Sequence, residues 1–466
     1  MKPSIILKNH ENLKTGKTTV DFLISECNKK MQQCKDTNSV ITECCDAPKD
    51  FKLTDNLLSG CIYSLKDNIS TKGIRTTGAS KFLDDYIPPY NATIYELLKS
   101  SGAILTSKNN LDQFGMAGTG IQTAYGYAKN ILDKSRITGG SSSGSVNLVA
   151  GGIVDFAIGT DTGDSVRRPS SFLGVVGYKP SYGLISRYGV LPYAPSLDHV
   201  GIITRTVADA AIVADQVCQF DPKDYTSQKL EHNFYKNLKV LKGMKISVIK
   251  GIEDGILLNE RKIYLNVISK LKENGHTIVE KEVDIKLLNA IGVTYQIISN
   301  VEGLSCYASF TGVPFGANEG GQEYKDLIFK NRNKYINNQV KKRMLMGAYV
   351  TSRDNFKSIY IKAKKVRTLL IELMNKLMDN VDGLLIPSAS FVAPTLEDTF
   401  ADTVKTSHAD DCLILANFAG TPSITIPAGN YNGLPYGINI NCKQKQDQTM
   451  FDIAATIETI LEDKNE

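Results

Sequence analysis

The chain has 466 residues, 42% hydrophobic and 22% charged, a balance that excludes a fibrous or disordered protein and leaves room for a large core. Its 54 basic and 49 acidic residues are interspersed and give a net charge of +5, so there is no basic arm to track a phosphate backbone. No run of 18 apolar residues occurs, and the apolar stretch before Lys8 is too short for a signal peptide; the expectation is a cytoplasmic protein that contacts no membrane. Nine cysteines, without a C-x-x-C pair or histidines at metal spacing, read as free thiols, and no metal site is expected.

In chain order, residues 1–55 are polar with one helical pattern near 19–33, read as a surface helix and loop packed on the main domain. From about Gly60 short apolar runs alternate with helical stretches, the pattern of an α/β domain with a largely buried sheet, taken to span 56–466. Strands are predicted at 61–65, 103–106, 154–158, 173–178, 244–249, 384–387, 423–427 and 436–441. Helices are predicted near 93–100, 142–150, 207–217, 260–273, 354–378 and 449–461. No repeat or hinge interrupts them, although 218–242 is polar enough for a surface excursion.

Two clusters carry chemistry. Gly139-Gly140-Ser141-Ser142-Ser143-Gly144-Ser145 places several hydroxyls and a close-approaching backbone at the start of an apolar helix. A Gly/Ser linker would be flanked by polar residues instead, and a phosphate-binding loop would carry Lys where Ser145 stands. The second cluster, Gly159-Thr160-Asp161-Thr162-Gly163-Asp164-Ser165-Val166-Arg167, follows an apolar strand and suits a nucleophile beside exposed main-chain N–H groups.

A serine hydroxyl needs a base. None of the five histidines lies in either cluster, and no G-x-S-x-G elbow occurs. Lysine is the remaining type, because desolvation lowers its pKa toward neutrality. Lys66 ends the strand Cys61-Ile62-Tyr63-Ser64-Leu65, where its stem can enter the core.

Together with Gly174-Val-Val-Gly-Tyr-Lys-Pro180, the two clusters resemble the amidase signature. Ser141 follows Lys66 by 75 residues and Ser165 follows Ser141 by 24, the spacing of that family's Ser-cisSer-Lys triad. The resemblance implies one large α/β domain, a central mixed sheet covered by helices on both faces. It also implies that Lys66 is the base, Ser141 a relay held by a non-proline cis peptide, and Ser165 the nucleophile. The amides of Thr162, Gly163, Asp164 and Ser165 would form the oxyanion hole.

Further text, including Ser196-Leu-Asp-His-Val-Gly201 and Lys342-Arg343-Met-Leu-Met-Gly347, is similar to the branch of the family that hydrolyses glutamine within tRNA-dependent amidotransferases. That likeness implies ammonia release from glutamine to convert Glu-tRNA(Gln) to Gln-tRNA(Gln) with partner subunits B and C. It implies no cofactor in this chain, ATP and magnesium being used by the assembled complex, and tRNA handled by the partner. Arg343 and Asp410 match the positions that hold the carboxylate and ammonium of glutamine, adjacent Asp411 being the alternative to Asp410. Tyr295 and Ser142 are assigned to the same pocket.

Three departures stand out. Asp164 replaces the glycine usual before the nucleophile and puts a negative charge near a developing oxyanion unless it points away. Thr119-Gly120-Ile121-Gln122 stands where Thr-Glu-Asn is usual, and the N-terminal region is short. Two rivals therefore stay open: a stand-alone amidase acting on small amides, and a catalytically weakened scaffold subunit.

Overall fold

The structure, a computed structural model, describes residues 2–462. Its strands are β1 (Val40–Glu43), β2 (Ile62–Lys66), β3 (Ile104–Asn109), β4 (Phe156–Asp161), β5 (Val176–Lys179), β6 (His199–Thr204), β7 (Lys245–Ile249), β8 (Thr277–Lys281), β9 (Gly383–Pro387), β10 (Ser423–Tyr431) and β11 (Leu434–Asn441). Among the described residues they form one sheet of 11 strands in the order β1-β3-β2-β4-β6-β5-β10-β11-β9-β7-β8. β3, β2 and β4 run parallel, as do β9, β7 and β8, while the strands between them and edge strand β1 pair antiparallel. The sheet is thus mixed, as the resemblance implies.

The helices used below are α1 (Ile5–Lys14), α2 (Val20–Gln33), α3 (Thr93–Ser100), α4 (Ser143–Ala150), α5 (Arg167–Leu173), α6 (Val207–Val217), α7 (Leu258–Glu273), α8 (Ile285–Tyr307), α9 (Tyr324–Tyr335), α10 (Asn338–Thr351) and α11 (Lys362–Leu377). Short helical turns follow between 396 and 419, and α12 (Asp447–Glu462) closes the described chain. Strand alternation divides the core into two layers. Ile62 and Ala157 face a layer with Met31 of α2, Val146 of α4 and Phe172 of α5. Tyr63, Leu65, Phe156 and Ile158 face the other, with Leu98 of α3, Ile212 of α6 and Phe451 of α12.

Several predicted elements need correction. The N-terminal stretch holds two helices, and β1 belongs to the main sheet. α1 escapes the periodicity because it buries only Ile6 and His10; polar contacts anchor it instead, Ser4 Oγ donating to Asp209 at 2.5 Å and Ile6 N–H at 3.1 Å. The strand predicted at 173–178 begins as the end of α5, which stops at left-handed Gly174, and the strand itself is β5. β6, β8 and the long α8 are additional to the predicted elements, and the helix expected from 354 opens with a π-helical turn at Phe356–Ile361. All nine cysteines are free thiols, and no helix among the described residues is long and apolar enough to cross a membrane.

Candidate active site

The site forms where the parallel neighbours β2 and β4 end side by side. β2 terminates at Lys66, and β4 runs through Thr160 and Asp161 into the turn before α5. The glycine–serine cluster leads into α4 across these ends. Its Gly140–Ser141 peptide is cis. Gly140 is obligatory for space: a Cβ there would sit 2.0 Å from Asp112 Oδ2 and 2.7 Å from the Gly120 nitrogen. Buried Asp112 accepts the N–H groups of Gly120 at 3.0 Å and Gln122 at 2.9 Å, so it fastens the Thr119-to-Gln122 loop beneath the serine turn.

Lys66 is fully buried. Its Nζ lies 2.7 Å from Ser141 Oγ, 3.0 Å from Ser142 Oγ, 2.8 Å from Thr160 Oγ1 and 3.2 Å from the Thr160 carbonyl. Burial pushes the amine from its ordinary 10.5 down to about 7, against the opposing charges of Asp112, Asp161 and Asp198. Ser142 directs its own hydroxyl hydrogen to the Thr160 carbonyl at 3.1 Å. Nζ is placed to donate to Ser141, Ser142 and Thr160; once neutral it keeps two hydrogens and has a lone pair free to accept from one of these hydroxyls.

The turn after β4 is held from behind. Arg167, fully buried, pairs with Asp161 at 2.9 Å and donates to the Gly163 carbonyl at 2.7 Å and to Asn417 Oδ1 at 2.6 Å. Burial would raise the Asp161 carboxyl, but the Arg167 charge and the hydrogen bonds from Val166 and Asn417 hold it below its ordinary value. Asn417 also donates to the Asp161 carbonyl at 3.3 Å, and the Asp164 carbonyl accepts from the N–H groups of Arg167 and Arg168, each at 2.9 Å. In a trans peptide the carbonyl and the next N–H point in opposite directions. Tying back the carbonyls of Asp161, Gly163 and Asp164 therefore turns the N–H groups of Thr162, Asp164 and Ser165 outward. Among the described residues, none of the N–H groups from Thr162 to Ser165 donates to a protein acceptor. Ser165 is joined to the serine cluster by the Ser142 N–H, which donates to its carbonyl at 3.2 Å.

Tyr295 of α8 lies over this turn; a Cβ on Gly163 would be 3.1 Å from its ring, a tight contact that glycine avoids. Arg343 of α10 donates to Tyr193 Oη at 2.5 Å and to Asn300 Oδ1 at 3.4 Å, and its Nε is a buried donor with no partner among the described residues. Tyr193 also lines a cavity of about 350 Å³ reached by Asn68, Thr160, Thr162 and Asp198. Asp410 departs from its expected place. Its carboxylate accepts from Ser390 N–H at 2.9 Å, Ser390 Oγ at 2.6 Å and Ser407 N–H at 2.8 Å, closing a capping box rather than presenting a free anion. Asp411, the alternative, lies against Gly292 one turn before Tyr295, and burial, reinforced by Asp410 and Asp164 and opposed by Arg168, pushes it up to about 6.

Asp112, Thr160, Tyr193 and Asn417 carry no role at the level of sequence. Nothing local distinguishes them, since each reaches the site through a long-range contact. Arg167 closes the second cluster, beside Arg168 at the start of α5, and that proximity is its signal in the sequence.

The arrangement is a buried lysine amine within hydrogen-bond distance of Ser141 and Ser142, next to a turn whose main-chain N–H groups are unpaired among the described residues. The chain belongs to the amidase family, whose sequence pattern matches residues 24–451. It is 39% identical over 457 residues to the A subunit of glutamyl-tRNA(Gln) amidotransferase from Mycoplasma genitalium, covering 96% of each chain. To the protein of that name from Sulfolobus acidocaldarius it is 36% identical, covering 97% of each. The crystal structure of the corresponding A subunit from Thermotoga maritima superposes with a TM-score of 0.78 at 30% identity, covering 94% of this chain and 91% of that one. Peptide amidase from Stenotrophomonas maltophilia, 22% identical, shares the fold with a TM-score of 0.83 over 97% of this chain and 96% of its own.

Proposed function

We propose that this chain is the glutamine-hydrolysing subunit of a glutamyl-tRNA(Gln) amidotransferase, and that Lys66, Ser141 and Ser165 carry its chemistry. The observation that carries the catalytic reading is the buried Lys66 amine, brought to about 7 and 2.7 Å from Ser141 Oγ. Neutral Lys66 accepts the Ser141 proton while Ser141 takes that of Ser165, whose Oγ bonds to the side-chain amide carbon of glutamine. The negative charge on the amide oxygen meets the outward N–H groups of Thr162, Asp164 and Ser165. The C–N bond then breaks as the proton returns through Ser141 to the leaving nitrogen. Water, deprotonated along the same relay, hydrolyses the ester to glutamate.

In this reading Arg343 receives the substrate carboxylate and Tyr295 packs beside the amide, while Asp411 rather than Asp410 faces the ammonium. The full-length likeness to proteins named as A subunits supports a multi-subunit amidotransferase, in this reading with partner subunits B and C in the cytoplasm. ATP and magnesium act at the partner, which also binds the tRNA. The test reconstitutes the chain with its partners and follows ammonia release from glutamine and formation of Gln-tRNA(Gln) from Glu-tRNA(Gln). Broad hydrolysis of small amides by the isolated chain, with no gain on adding partners, would sink its assignment to the complex.

A further inference from the structure

A carboxylate stands immediately before the proposed nucleophile, in a turn whose purpose is to present positive potential. The N–H of Asp164 points toward the reacting centre, so its side chain lies within one residue of the developing charge. Left free, an ionised carboxylate at that range would oppose the oxyanion and slow the reaction on the order of 10²-fold. The structure shows how it is restrained. Arg168, four residues on in the first turn of α5, places Nη2 2.8 Å from Asp164 Oδ2, and the two side chains are only 16% and 17% exposed. The same Nη2 donates to the Asp410 carbonyl at 2.6 Å, which fixes the guanidinium against the capping turn rather than leaving it to follow Asp164. Asp161, Asp410 and Asp411 are the other anions near this guanidinium, and Asp161 is already paired with Arg167.

We propose that Arg168 is a positioning residue: held by the Asp410 carbonyl, it draws the Asp164 carboxylate away from the amides that stabilise the oxyanion. An aspartate is thereby tolerated at 164, and residues 164 and 168 form a functional pair. The proposal rests on the assignment of Ser165 as nucleophile. It also removes the ground on which the scaffold alternative stood, a free charge at 164, and leaves that alternative to the activity measurement below.

The experiment is a double-mutant cycle in the reconstituted complex, with kcat and KM for glutamine measured for Arg168→Gln, Asp164→Gly, the pair, and Arg168→Lys, and Ser165→Ala as a control. Arg168→Gln should lower kcat roughly 10- to 100-fold with KM changed less than about threefold. When residue 164 is glycine, the same substitution should cost less than about threefold. Arg168→Lys, which keeps the charge at i+4, should recover most of the loss in a protein whose melting temperature matches wild type, separating positioning from folding. An equal loss in both backgrounds, or no loss on Arg168→Gln, would overturn the pairing. Activity that survives Ser165→Ala would instead overturn the catalytic reading beneath it.

Discussion

The turn between β4 and α5 and the helical pair α8–α10 both face the proposed substrate, yet they are built on opposite principles. In the turn, buried charges and carbonyls are matched by short-range partners: Asp161 by Arg167, Asp164 by Arg168, and Gly163 O by the same Arg167 guanidinium that holds Asp161. What is left unpaired is a set of N–H groups pointing one way. On α8 and α10 the relevant side chains are Tyr295 and Arg343; Arg343 is held by neutral partners, Tyr193 and Asn300, and α10 exposes Leu345 and Tyr349 on another face. Arg343 itself keeps a buried Nε without an acceptor among the described residues. In the proposed function the first region fixes what reaction occurs and the second selects what undergoes it. Substitutions in the turn should therefore change kcat, and those on the helices should change KM.

The largest effect is expected at Ser165. Replacing it with alanine should reduce ammonia release by roughly 10⁴-fold or more without moving the melting temperature, measured by steady-state assay and thermal denaturation. Residual turnover within tenfold of wild type would place the nucleophile elsewhere. Next comes Lys66. Because its amine must be neutral to accept a proton and titrates near 7, kcat/KM should fall tenfold per unit as pH drops below about 7 and level off above it. Lys66→Met should lose on the order of 10³-fold in kcat/KM, and Lys66→Arg should not rescue it, since a guanidinium stays protonated. Stability carries the same signature. The unfolded chain binds a proton at Lys66 that the folded protein releases between about 7 and 10.5, so wild type gains stability across that window and Lys66→Met should gain less. Parallel denaturation curves for the two proteins from pH 7 to 10 would contradict the buried neutral amine.

The same contrast explains how much of the molecule is legible in its sequence. The two glycine-rich clusters are short-range devices: glycine at 140 and 163 is dictated by close approach, and serine at 141 and 165 by chemistry. They can therefore be read from a continuous stretch of residues. β2, β4, α3 and α6 are likewise readable, since buried strands and amphipathic helices print their period. β1, β6 and β8 are not. β1 and β8 lie at the sheet edges with none of their residues fully buried, and β6 begins with a histidine and ends in threonine within a loop-like stretch. α8 escapes notice although it runs 23 residues, because its apolar residues surround the helix instead of forming one stripe. Asn417 lies beyond reach for another reason, its partner Arg167 being 250 residues away, while Asp112 acts through the irregular loop at Gly120 and Gln122, which has no period to read. For Asp410 the local signal points elsewhere than to a ligand position, since Ser407-x-x-Asp410 is the pattern of a capping box.

On the helical side the effects should be smaller and fall on binding. Arg343→Ala should raise KM for glutamine about 10- to 100-fold, the cost of one charge-assisted pair, with kcat within threefold. A drop in kcat at constant KM would move Arg343 from selection to chemistry. Asp410→Asn should act on the fold instead. Its carboxylate takes three hydrogen bonds from Ser390 and Ser407, and weakening that capping box should cost about 1–3 kcal/mol in denaturation without a selective change in KM.

The smallest effect distinguishes the neighbouring aspartates. Asp411 titrates near 6 because burial raises it, with Asp410 and Asp164 adding to the rise and Arg168 limiting it. If its carboxylate receives the substrate ammonium, it does so only when ionised. KM for glutamine should then fall about three- to tenfold as pH rises through 6, a change separate from the kcat dependence set by Lys66 near 7. Asp411→Asn should hold KM near its low-pH value throughout, because the amide carries no charge to gain. Arg168→Gln should move the midpoint of the KM profile upward, since it removes the cation that stabilises the ionised form. A KM that ignores pH in wild type, or an Asp411→Asn profile that still bends near 6, would return the ammonium to another anion.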